Sequence, residues 1–187
     1  MIIMDAYLPP VEKPQGFLWK MIYSYARKKF GKVLTPLKVM SVRMPISFAL
    51  FSMKISKLDT KLRLPAEAVM LVRQQVARLN LCLFCIDISR SKTIQASMNQ
   101  AKFDALDDYQ ASTLFSEAER ALLDFVTLLT KERRMDEDTF ARLAKHYPEN
   151  EICEIVWIVS TEFYYNMGNI ALNIHSDMLC DISKRKK

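Results

Sequence analysis

Cys82 and Cys85, in the run Leu81-Cys-Leu-Phe-Cys-Ile-Asp87, are the residues of this chain best suited to chemistry. On a helix, the i, i+3 spacing puts both sulfurs on one face, close enough to bridge with little backbone movement. If the pair opens a helix, unpaired N–H groups and the positive end of the helix dipole favour the thiolate, which is the reactive form of cysteine. A redox dithiol, a zinc half-site and plain core packing all suit this spacing. Zinc needs two more ligands, and His146, Cys153, His175 and Cys180 contain no second close pair, so no metal is expected. Cys153 lies in an apolar run and is expected to be a buried structural cysteine.

The elements that must position the pair read as helices. Val69, Val72, Val76 and Leu79 recur at three- and four-residue steps after Pro65, which predicts a helix through Asn80. A second helix starts at or just before Cys82 and runs toward Phe103. Ser116 and Glu119 have capping-box spacing ahead of Leu122, Leu123, Val126 and Leu129. Asp136 or Asp138 can cap a short helix through Lys145, stopped by Pro148. Near the N-terminus a helix from Phe17 ends at Gly31, and a short one is expected around Phe48 to Ile55. The last helix carries Ile152, Ile155, Val156, Val159, Phe163, Met167, Ile170 and Ile174 on one broad stripe. No segment alternates at period two, so the thioredoxin fold is excluded and the expected architecture is an all-α bundle of about six to eight helices. The width of the last stripe points to a homo-oligomer.

Composition agrees. Of 187 residues, 50% are hydrophobic and only three are glycine, which excludes global disorder and disfavours turn-rich β folds. The stretch from Ile152 to Ile174 could span a bilayer by length. Its Glu154, Glu162, Asn166, Asn169 and Asn173 make it a core helix instead, and no membrane partner is expected. Asp5 stands where a signal peptide would carry basic residues, so a cytoplasmic location is expected. The net charge of +6 is uneven: residues 1–65 hold twelve Lys and Arg against three acids. Arg27, Lys28, Lys29 and Lys32 around Tyr25 and Phe30 read as a solvated basic face, so no nucleic acid is expected. The expected organisation is a basic helical extension packed on the core (1–63), a central domain (64–180) and a basic tail (181–187).

The run from Leu64 to Asp87, with its Leu-Asn-x-Cys-x-x-Cys-Ile-Asp phrase, resembles the carboxymuconolactone decarboxylase-like superfamily, specifically its AhpD-like alkylhydroperoxidase branch. The similarity continues through Leu114–Leu123 and Ile152–Asn173. The resemblance implies an AhpD-like helical protomer that assembles into trimers or hexamers and needs no flavin, metal or other cofactor. It implies that Cys85 is the peroxidatic thiolate, oxidised by a hydroperoxide to a sulfenic acid, and that Cys82 resolves it to a disulfide. A partner thiol, possibly carried on a lipoylated protein, then reduces the disulfide in a cycle of antioxidant defence.

The family's proton relay is absent. Its glutamate and two histidines fall at Met70, Phe84 and Ser89. Glu67 and Gln74 flank Met70 on the same helix face, and Ser89 lies one turn after Cys85, so Glu67 and Ser89 are the substitutes expected. Asp87 should point away and serve a cap or salt bridge. His175 is another candidate from the end of the last long helix. Without a general base, the alternative to a thiol-dependent hydroperoxide or disulfide reductase is a redox-responsive or structural homo-oligomer without turnover.

Overall fold

The structure is a computed structural model that describes residues 6–185. Among these residues it is all helical, with nine α-helices rather than six to eight; the additional ones are short. At its centre lies α3 (Ala66–Leu79), introduced by Pro65, whose fixed φ suits a helix start. It packs on α6 (Glu117–Glu132) and α8 (Glu149–Ala171), burying Val72, Val76, Leu122, Val126, Ile155 and Ile158 in one cluster. Ser116 and Glu119 form the expected capping box at the start of α6, and Asp136 caps α7 (Glu137–Ala144) by accepting from the Thr139 amide.

The chain turns from α3 into α4 (Leu83–Gln95) within three residues. Leu81 takes the left-handed φ of 57°, which costs a residue with a Cβ on the order of 1 kcal/mol. Its effect is to let the Cys82 amide donate to the Ala77 carbonyl at 2.9 Å, so that Cys82 becomes the N-cap of α4. The helix expected to continue to Phe103 stops at Gln95. Ser97 adopts a left-handed φ of 55°, and the Asn99 side chain accepts from the Ala101 amide to begin a separate α5 (Gln100–Asp104).

The N-terminal segment lies over the start of α4. It comprises α1 (Phe17–Phe30), closed by Gly31 at φ 84°, two π-helical turns (Leu37–Ser41 and Pro45–Leu50) and α2 (Phe51–Asp59). Phe30, Leu34, Val39 and Met40 pack into the cluster that contains Cys82 and Cys85. Buried Asp177 fastens this segment by accepting from the Thr35 amide and hydroxyl, both at 2.7 Å, and pairing with Lys32 at 3.0 Å. The outer side of α1 exposes Phe17, Leu18, Met21 and Tyr25. On α8, Val156, Met167 and Ile170 also face outward, so the buried stripe is narrower than the sequence suggests.

Residues 181–185, read from sequence as tail, belong to α9 (Leu179–Arg185), which packs on α4; Lys186 and Lys187 lie outside the described residues. Buried Asp87 holds α9 by accepting from the Leu179 and Cys180 amides at 2.8 and 2.9 Å, the capping role expected for it. Among the described residues, no helix is long and apolar enough to cross a membrane. Asp87→Ala leaves two amides unpaired and should lower stability by about 1–3 kcal/mol. Hydrogen exchange at Leu179 and Cys180 should accelerate in that variant, and unchanged exchange there would show that α9 is held by packing alone.

Candidate active site

The N-terminal turn of α4 brings the two cysteines together: Cys82 at the N-cap and Cys85 three residues on, with sulfurs 2.7 Å apart. Both are free thiols, 1% and 2% exposed. Asn169 of α8 points its amide nitrogen at the Cys85 sulfur, 3.3 Å away. The two titrations are linked. Hydrogen bonding from Cys85 pulls the Cys82 thiol below its ordinary value, whereas that shared bond, burial and the nearby Glu162 charge push the Cys85 thiol well up. The pair therefore favours one thiolate and one thiol that share a single proton.

A buried polar chain lies behind the sulfurs. Arg73 of α3 places its guanidinium between Asp59, at 2.6 Å, and Glu162, at 3.0 Å. The other Asp59 oxygen accepts from the Trp157 indole at 3.0 Å. Asn166 donates to Glu162 at 2.8 Å and accepts from Asn80, at the α3–α4 turn, at 2.9 Å. Glu162, Asn166 and Asn169 follow one another at i, i+4 and i+7, so α8 presents one polar ridge to the dithiol. Gln74 is wholly buried with neither end of its amide hydrogen-bonded, and the Asn169 carbonyl oxygen is likewise unpaired. Gln74 shares a face of α3 with Ala77, which packs in the cysteine cluster.

The two residues expected to replace the relay are placed differently. The Ser89 hydroxyl donates to the backbone carbonyls of Cys85 and Ile86 at 2.7 and 3.1 Å, so it meets Cys85 through the main chain. Glu67 pairs with Lys102 at 2.6 Å, and Lys102 also holds Glu119 at 2.8 Å. Glu67 stands ten residues before Ala77, about 15 Å along α3, and is not brought to the dithiol. His175 is half-buried, and its Nε2 has no hydrogen-bond partner, so it bonds neither sulfur through that atom. Cys153 is exposed rather than buried, because it falls on the outward side of α8 with Val156 and Ser160. Cys180 meets the Asp87 carbonyl at 3.4 Å, and burial together with Asp87 raises its thiol to about 12. Among the described residues, no cluster of three His, Cys, Asp or Glu could hold a metal ion.

Arg73, Asn80, Glu162, Asn166 and Asn169 were not singled out as site residues. The signal was present in α8, where three polar residues recur at helical spacing inside an apolar run.

No family model matches the chain. It is 29% identical over 182 residues to the uncharacterized protein YnjA of Escherichia coli, spanning 96% of this chain and 98% of that one. It is 27% identical over 105 residues to the uncharacterized protein YdfG of Bacillus subtilis, spanning 54% of this chain and 71% of that one. Among solved structures, a peroxidase-related protein of Ralstonia eutropha described as an alkylhydroperoxidase AhpD core superposes with a TM-score of 0.77 at 16% identity, covering 95% of this chain and 96% of that one. The chain has the AhpD-like fold. The same fold is carried by the debrominase Bmp8. A Bmp8 variant with one cysteine replaced by alanine, in complex with 2,3,4-tribromopyrrole, superposes with a TM-score of 0.81 at 18% identity over 98% of both chains.

Within this AhpD-like fold, the electrostatics of the thiol pair give a direct test. The Glu162 charge raises both thiols, so Glu162→Gln should move the alkylation-rate profile of the pair toward lower pH, giving more thiolate and faster alkylation at pH 7. Separating Glu162 from Arg73 should also cost about 3 kcal/mol in denaturant unfolding. A profile displaced toward higher pH would contradict this view of the site.

Proposed function

We propose that the chain is a dithiol-dependent reductase of small hydroperoxides, acting in antioxidant defence. The observation that carries this reading is the pair of free sulfurs 2.7 Å apart at the start of α4, with the Asn169 amide on one of them. A thiolate attacks the distal oxygen of the hydroperoxide, the O–O bond breaks, and the alkoxide leaves as alcohol after taking a proton. The sulfenic acid formed is attacked by the second sulfur, releasing water and leaving a Cys82–Cys85 disulfide. The dithiol has then supplied two electrons, and a thiol reductant returns them.

We assign the first attack to Cys82, whose thiol the shared hydrogen bond lowers, with Cys85 as the proton source for the leaving alkoxide; the Asn169 amide, which donates to the Cys85 sulfur, pulls the other way. This order is the reverse of the one that the family resemblance implies. Neither sulfur is solvent-accessible, so reaction requires local opening of the cover over the pair, on which Phe30, Leu34 and Val39 lie.

The likeness to Bmp8 favours a second reading, reductive debromination. There the same two electrons would convert an aryl bromide and the dithiol into arene, bromide, a proton and the disulfide. A redox-responsive oligomer without turnover is the alternative to both.

Reduced protein mixed with one equivalent of cumene hydroperoxide, then alkylated and peptide-mapped, should lose the Cys82 and Cys85 thiols while Cys180 remains titratable. The double variant Cys82→Ser/Cys85→Ser should consume no peroxide. With Cys82 attacking first, Cys85→Ser should accumulate a dimedone-reactive sulfenic acid at Cys82, and Cys82→Ser should accumulate none; the opposite pattern restores the order implied by the resemblance. A parallel reaction with 2,3,4-tribromopyrrole that oxidises the pair faster than peroxide would favour debromination. Thiols that stay reduced with both substrates would overturn the reductase.

A further inference from the structure

A cavity of about 320 Å³ is walled by the end of α2, the chain that leads into α3, the first turns of α3 and the C-terminal half of α4. Its walls include Leu64, Val69, Met70 and Met98, and neither cysteine lines it. Two charged residues reach it, Asp59 and Lys92. The Asp59 oxygens are committed to Arg73 and the Trp157 indole. Lys92 lines the cavity, is accessible to solvent and has no ion-pair or hydrogen-bond partner among the described residues.

The charges acting on Lys92 come from four groups on three helices and the end of α2: Arg73, Glu162, Asp59 and Lys29. Both carboxylates are bonded to Arg73, which leaves Lys92 as the one cation of the cavity lining, with no carboxylate bonded to it, beside an apolar wall. Burial and the two neighbouring cations also disfavour the Lys92 ammonium, a cost that a bound anion relieves. One cation with an apolar lining suits a monoanion with a hydrocarbon or aromatic body. A phosphate dianion would call for more donors than the cavity presents.

We infer that this cavity is a binding site for a small apolar carboxylic acid, with its carboxylate on Lys92 and its body against Leu64, Val69, Met70 and Met98. Pocket volumes near 300 Å³ are the lower end of the range for organic ligands, which keeps the acid small. The site is separate from the dithiol. Lys92 follows Cys85 by seven residues, about 10 Å along α4, and the proposal does not depend on thiol chemistry.

Sodium octanoate is a suitable probe, and Trp157 is a built-in reporter because its indole nitrogen is bonded to Asp59 at the cavity. Titration of the full chain, followed by tryptophan fluorescence and by calorimetry, should show saturable binding at one site, with 1-octanol at least tenfold weaker. Lys92→Gln should weaken octanoate about tenfold or more, and Lys92→Arg should restore most of it. Ala96→Trp, at an exposed lining position, should block binding without removing a charge. The Cys82→Ser/Cys85→Ser protein should bind as the parent does. The inference is overturned by equal binding of octanol and octanoate, by indifference to Lys92→Gln, or by no saturable binding at millimolar probe. Loss of binding in the double cysteine variant would assign the ligand to the dithiol and overturn the separate site.

Discussion

The arrangement depends most on one buried cation. A guanidinium taken out of water costs several kcal/mol unless it is both paired and hydrogen-bonded, and Arg73 meets that demand with two carboxylates from different helices. Once Asp59 and Glu162 are drawn to it, α2 and α8 are fixed relative to α3. Glu162 then orients Asn166, Asn166 reaches Asn80 at the turn before the dithiol, and one turn further along α8 Asn169 lies on the Cys85 sulfur. On the opposite side, Asp59 forms part of the cavity wall that Lys92 shares. The dithiol and the cavity are thus two ends of a single ionic cluster.

That cluster also sets the chemistry of the thiols. Two carboxylates around one guanidinium leave net negative charge in the interior, which opposes a second anion nearby. Were the cysteines isolated, both would be held as inert thiols by burial and by Glu162. Their closeness offers an escape: one sulfur takes the charge and the other donates a proton to it. In the proposed reduction a single-proton pair needs no histidine relay for its first step, so Met70, Phe84 and Ser89 can stand where the family resemblance implies a glutamate and two histidines. The reserve of hydrogen-bonding capacity in Gln74 and Asn169 is available to a polar oxygen brought to the sulfurs.

Much of the fold was legible because it rests on local rules. Period-3.6 spacing, the Ser116 capping box, the Gly31 terminus and Asp136 each act within a few residues, and each appears as expected. The break between α4 and α5 is not legible in the local pattern, because Ser97 and Asn99 are compatible with a helix interior and only the cap that Asn99 makes separates the two helices. The cysteine pair was visible as spacing alone. Its surroundings were not, since Asp59 and Arg73 stand far from Glu162 in the sequence and their meeting is a tertiary fact. Glu67 shows the limit of helix-face arguments: it shares a face with Gln74, yet ten residues of rise and the pull of Lys102 take it away. Cys153 shows another, because a cysteine inside an apolar run still points wherever the helical phase directs it.

The N-terminal segment ties these strands together. Gly168, in the last turn of α8, lies against Met40, whose terminal methyl and sulfur stand 2.7 and 3.0 Å from where a Cβ would be. The absence of a side chain there lets the segment settle closely on α8, while Asp177 fastens Thr35 and Lys32 from the other side. Phe30, Leu34, Val39 and Met40 are thereby held over the sulfurs. The dry environment that disfavours the Cys85 thiolate is therefore built largely by residues outside the central helices. Opening the cover would hydrate the sulfurs and lower the desolvation penalty on thiolate formation at the moment a substrate gains access, so access and activation are governed by the same contacts.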